Sequence, residues 1–83
     1  MPKTIFTGDN RVVVQAVKEE RARAGLTQAE LAARLKRDQS WVSLIEGSQR
    51  RLDVVEFIAI ARALDADPAV LIAKIAKGIP ATR

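Results

Sequence analysis

At five places along this chain a short polar side chain stands directly ahead of apolar residues spaced for a helix. Such a side chain accepts a hydrogen bond from a backbone amide that the first turn leaves unpaired, so it marks where a helix starts. Asp9 or Asn10 caps a first helix, expected from about Arg11 to Ala24, with Val13, Val14, Val17 and Arg21 on one face. Gly25 then ends it in a left-handed conformation. Thr27-Gln28-Ala29-Glu30 reads as a capping box, so a second helix starts at Gln28 and ends near Leu35, burying Leu31, Ala32 and Leu35. Asp38 caps a third helix from Gln39 to about Glu46, with Val42 and Ile45 inward, before the basic connection that ends at Leu52. Asp53-Val54-Val55-Glu56 is a second capping box, followed by Phe57, Ile60, Ala61 and Leu64 on one stripe. Asp67-Pro68 places a cap and then a proline at the first helical position, opening a fifth helix that carries Leu71, Ile72 and Ile75 and stops near Gly78.

That punctuation predicts an all-α fold of five helices with short connections and no strand signal outside the arm. Residues 1–9 read as an N-terminal arm whose apolar anchors are Ile5 and Phe6, residues 10–78 as a single domain, and residues 79–83 as a tail. A chain of 83 residues that is 48% hydrophobic can bury one core but has little room for a deep substrate cavity. It contains no Cys and no His, which removes disulfides, thiolate chemistry, the commonest zinc ligand and the commonest general base. The carboxylates fall mostly at helix starts or at exposed positions, so no catalytic constellation can be assembled. An enzyme is not expected, nor is a metal or other cofactor. No apolar run reaches the roughly 18 residues needed to span a bilayer, and the first residues lack the apolar core of a signal peptide. A cytoplasmic location with no membrane partner is the expectation.

The net charge is +4. Most of it lies between Arg34 and Arg51, where Arg34, Lys36, Arg37, Arg50 and Arg51 face only Asp38 and Glu46. Basic residues therefore flank the third helix at both ends, which suits an anionic partner. The second and third helices are short and joined by a tight turn, the arrangement of a helix-turn-helix. In that unit the second helix protrudes so that its N-terminal residues enter a major groove, and the first aims its N-terminus at a phosphate. A small residue is needed where the two cross, and Ala32 occupies that place.

Residues Gly25 to Ala32 (GLTQAELA), Gln39 to Glu46 (QSWVSLIE), Arg50 to Asp53 and Ile60 to Leu64 together resemble the helix-turn-helix family of the phage lambda repressor and Cro, also called the xenobiotic-response-element type. The resemblance covers roughly residues 13 to 75. It implies a five-helix lambda repressor-like DNA-binding domain that works as a homodimer on double-stranded DNA. Matched position by position, it implies that Gln39, Ser40 and Leu44 face base edges, and that Thr27, Gln28, Ser43, Arg50 and Arg51 contact the DNA backbone. Lys36 and Arg37 rank below Arg50 and Arg51 as phosphate contacts, and Trp41 reads as a packing residue. Arg21 and Glu46 match a structural ion pair between the first and third helices.

The sequence departs from the family pattern at three points. Lys36 stands where the turn usually carries Gly, which costs about 1–2 kcal/mol if the left-handed geometry is kept. The Gly usually found after the third helix comes one place early, as Gly47, leaving Ser48 in its position. Leu44 replaces a commonly polar residue and can pack on a thymine methyl but read no hydrogen-bonding edge. The function expected is a sequence-specific transcriptional regulator, a repressor binding a palindromic operator through the major groove. The alternative is an antitoxin-like or other protein-interaction subunit whose helix-turn-helix serves autoregulation. The dimer surface is expected on the fifth helix and tail, through Val70, Leu71, Ile75 and Ile79, or on the arm.

Overall fold

The computed structural model describes residues 8–81, and within them every regular element is helical. In chain order these are α1 (Asn10–Ala24), α2 (Gln28–Arg34), α3 (Gln39–Glu46), α4 (Val54–Ala63) and α5 (Pro68–Gly78). Ile5 and Phe6 lie outside the described residues.

Helix starts follow the caps, with two exceptions. At α2, Thr27 Oγ1 accepts from the Glu30 amide at 3.1 Å while Glu30 Oε1 accepts from the Thr27 amide at 2.8 Å. At α4, Asp53 and Glu56 make the same reciprocal pair, at 2.7 and 3.1 Å. Asp67 Oδ1 accepts from the Ala69 amide to open α5. Asp9 and Asp38, by contrast, occupy cap positions without a capping hydrogen bond from their side chains. Asn10 belongs to α1 itself, and its Nδ2 reaches Ser48 Oγ at 3.3 Å, so its side chain ties α1 to the end of α3.

Four helices end in one motif, a left-handed residue whose amide and that of its successor turn back to carbonyls of the last turn. Gly25 serves α1, Lys36 serves α2, Ser48 serves α3 and Asp65 serves α4, at φ of 73°, 56°, 57° and 57°. After α2 the Lys36 amide bonds Ala33 O and the Arg37 amide bonds Ala32 O at 2.9 Å. Only one of the four has the glycine that relieves the clash between Cβ and backbone.

The core has two joined parts. Val17 of α1, Leu31 and Ala32 of α2, Val42 and Ile45 of α3, and Ile60 and Leu64 at α4 make the first. Ala16, Phe57, Ala61, Leu71 and Ile75 make the second, uniting α1, α4 and α5. Each fully buried Leu, Ile or Val contributes roughly 1.5–3 kcal/mol. Where α5 ends over the start of α1, a Cβ at Gly78 would stand 2.7 Å from Val12 Cγ1, so the approach depends on glycine. Ile72 does not join the core, being 50% exposed. Leu71 and Ile75, expected on a dimer surface, are mostly taken up by the chain's own core, at 3% exposure each.

Candidate nucleic-acid interface

α3 presents two faces. Val42, Ile45 and Glu46 point inward, while Gln39, Ser40, Ser43 and Leu44 are exposed. Leu31 and Ala32 of α2 support the inward face as part of the first core cluster. The exposed residues recur at i, i+1, i+4 and i+5, which is one side of a helix about two turns long. Residues at its N-terminal end and along this side are the ones a major groove can receive.

One side-chain chain of hydrogen bonds sets the head of that face. Arg21 Nε and Nη2 donate to the two Glu46 oxygens at 2.7 and 2.9 Å, and Arg21 Nη1 donates to Leu26 O at 2.9 Å. Gln28 Nε2 donates to Glu46 Oε1 at 2.9 Å. Gln39 Nε2 then donates to Gln28 Oε1 at 3.4 Å. Burial pushes the Glu46 carboxyl up, but the bonds from Arg21 and Gln28 outweigh it and hold the group below its ordinary value. The bond to Glu46 raises the Arg21 guanidinium in turn. The Gln39 amide keeps its oxygen and one N–H, the acceptor and donor that an adenine edge requires. Gln28 keeps one N–H at the start of α2.

The remaining residues singled out from the sequence take these positions. Thr27 is exposed with its oxygen occupied as a cap, and its hydroxyl hydrogen can still be donated outward. Ser43 Oγ donates to Ser40 O at 3.1 Å. Leu44 is 41% exposed and belongs to the outward face. Arg51 is exposed in the α3–α4 connection. Arg50 sits in the same connection, but its fork is engaged within the chain: Nη1 and Nη2 donate to the two Glu56 oxygens at 2.8 and 2.7 Å, and Nη1 also reaches Arg51 O. That pair holds the Glu56 carboxyl down to about 2.

Trp41 lies beneath this region, half-buried against the first core cluster. The Arg37 and Arg50 guanidinium carbons stand over its ring, at 4.6 and 5.3 Å from the centroid. Its indole N–H is buried and unpaired among the described residues. The sequence marks Glu56 only as a capping residue. Its second partner, Arg50, is six residues upstream across an irregular connection, which leaves no periodic signal.

The chain's residues 13–73 match a helix-turn-helix domain family. No curated protein matches. Among solved structures, an XRE-family like protein from Pseudomonas syringae pv. tomato is 43% identical, with a TM-score of 0.80 over 87% of this chain and 88% of that one. The restriction-modification controller protein C.AhdI from Aeromonas hydrophila is 35% identical, with a TM-score of 0.70 over 76% of this chain and 91% of that one. The clp gene regulator ClgR from C. glutamicum shares the fold, with a TM-score of 0.77 at 19% identity over 93% of this chain and 100% of that one. The family match spans most of the chain and contains both helices of the turn unit, so the protein belongs to the Cro/C1-type, XRE-like helix-turn-helix family of DNA-binding transcription regulators.

Proposed function

We propose that this regulator is a sequence-specific repressor that binds a palindromic operator as a homodimer. The carrying observation is the Gln39 amide, aimed outward at the head of α3 and steadied by Gln28, with one donor and one acceptor unengaged. Gln39 pairs with an adenine edge, Ser40 contacts the neighbouring base, and Leu44 packs on a thymine methyl. Thr27, Gln28, Ser43 and Arg51 contact the backbone and fix register. A domain of this size covers one half-site, so two copies on a two-fold axis are needed for a full operator.

An apolar groove of about 370 Å³ between the start of α4 and α5 receives the second copy. Val13, Leu52, Val54, Phe57, Ile58 and Ile72 line it. Val54 and Ile72 are 73% and 50% exposed, which is costly for a monomer in water. The restriction-modification controller protein C.AhdI, similar over most of its length, supports a regulatory reading.

Selection of bound duplexes from a random pool tests the proposal, with a two-fold symmetric site as the expected recovery. On that site, Gln39→Ala with Ser40→Ala should lower specific affinity by about 2 kcal/mol, while binding to unrelated duplex is unchanged. Equal loss on both duplexes would move base reading elsewhere on the surface.

A further inference from the structure

We infer that Arg37, laid on the Trp41 ring ahead of α3, is a phosphate clamp for the duplex, and that Arg50 is not. The inference rests on the DNA-binding reading above and names which cation of that site meets the backbone. The two arginines share one aromatic platform but differ in what else they hold. Arg50 gives both terminal nitrogens to Glu56 and a further bond to Arg51 O. Its charge is matched by a carboxylate 2.7 Å away, so a phosphate would have to displace that pair. The Arg37 side chain makes no hydrogen bond or ion pair among the described residues, feels Glu56 only at longer range, and holds its guanidinium closer to the ring. Stacking on an aromatic face leaves the in-plane N–H donors of a guanidinium directed outward.

Two further features support a fixed position for Arg37. Its backbone amide is bonded to Ala32 O at 2.9 Å in the turn after α2, so the root of the side chain is set. The platform is retained although the indole N–H finds no acceptor there, a burial that works against folding. Gln39, at the head of the exposed face, lies only two residues further on. A cation at this point meets the strand that flanks the groove entered by α3.

The test is a titration of the full chain against a 30-base-pair duplex of random sequence at several salt concentrations, which reads the backbone contribution without any operator. Losing one phosphate contact makes the slope of log K against log salt shallower by about 0.9. For Arg37→Ala, the fall in affinity between 50 and 200 mM salt should therefore be about 3.5-fold smaller than for the parent chain. Arg37→Lys should restore the parent slope, because it keeps the charge. Arg50→Gln combined with Glu56→Gln removes both members of the neutral pair and keeps a capping residue at position 56, and it should leave the slope as it was. A parent-like slope for Arg37→Ala overturns the clamp, and a reduced slope for the Arg50/Glu56 double variant assigns the contact to Arg50 instead. If the parent chain binds no duplex, the DNA-binding reading itself falls, and the clamp with it.

Discussion

Glu46 is only 8% exposed and still carries its charge, because three N–H groups from two other helices converge on its two oxygens. Arg21→Met would leave that carboxylate buried with Gln28 alone, at a cost of about 3 kcal/mol. For a domain of this size the melting temperature should then fall by at least roughly 12 °C, read by thermal denaturation followed by circular dichroism. The same residue also governs where Gln28 and, through it, Gln39 stand, so the variant should lose operator affinity even at temperatures where it remains folded. Acid should act through the same group and through Glu56. Both carboxyls titrate lower in the folded chain than their ordinary 4.5, Glu56 at about 2. The unfolded chain therefore takes up protons first as pH falls. The stability these two groups contribute is complete above about pH 5 and is lost progressively from pH 4.5 toward 2. Melting temperature should be level between pH 7 and 5 and decline below 4.5, and Glu56→Gln should make that decline shallower. A decline of equal steepness in Glu56→Gln would place the acid sensitivity in other carboxylates.

The helices themselves were largely legible in the sequence because their start signals are local. A capping box needs four consecutive residues, and both boxes, Thr27–Glu30 and Asp53–Glu56, form as their spacing predicts. What the spacing missed depends on distant partners. Asp9 and Asp38 have the right chemistry for caps but make no such bond, and Asn10 instead reaches Ser48, 38 residues away. Ile72 shares its stretch with Leu71 and Ile75, and periodicity alone does not say which of the three apolar positions stays half-exposed on the α4–α5 groove instead of entering the core. Nor could spacing reveal that Arg50 turns back to pair with Glu56, whereas Arg37 acts on the same carboxylate only at longer range, with no hydrogen bond or ion pair to it. The turn between α2 and α3 was readable as strained: Lys36 takes φ 56°, where glycine is usual. Relief of about 1–2 kcal/mol of left-handed strain, less about 0.5–1 kcal/mol for the added freedom of glycine when unfolded, leaves a small net gain. Lys36→Gly should therefore raise the melting temperature by roughly 4 °C, with duplex affinity falling slightly from the lost charge. A lower melting temperature would mean that the Lys36 side chain contributes a contact worth more than the strain.

At the scale of the whole molecule, the surfaces divide by chemistry. The exposed side of α3 and the basic residues at its ends form one polar region, and the groove between the start of α4 and α5 is almost entirely apolar. On the proposed operator reading, specificity assigned to the first would need the second, because two or three base contacts from one α3 are too few to select a site among many similar sequences. Pairing two copies through one self-complementary patch doubles the contacts and fixes half-site spacing at about one helical turn of DNA. Ile72→Lys tests this without touching the core, since half of that side chain already faces water. A charge placed at the centre of the patch should weaken the dimer by at least about 2 kcal/mol, or about 30-fold in dissociation constant. Analytical ultracentrifugation should show the parent chain as a dimer at micromolar concentration and the variant as a monomer with unchanged helix content. Operator binding by the variant should become steeper in protein concentration, because dimerisation would then occur on the DNA, while its affinity for a single half-site stays at the parent value. A variant that remains dimeric would exclude the α4–α5 groove as the interface and leave the arm, with Ile5 and Phe6, as the surface to truncate next.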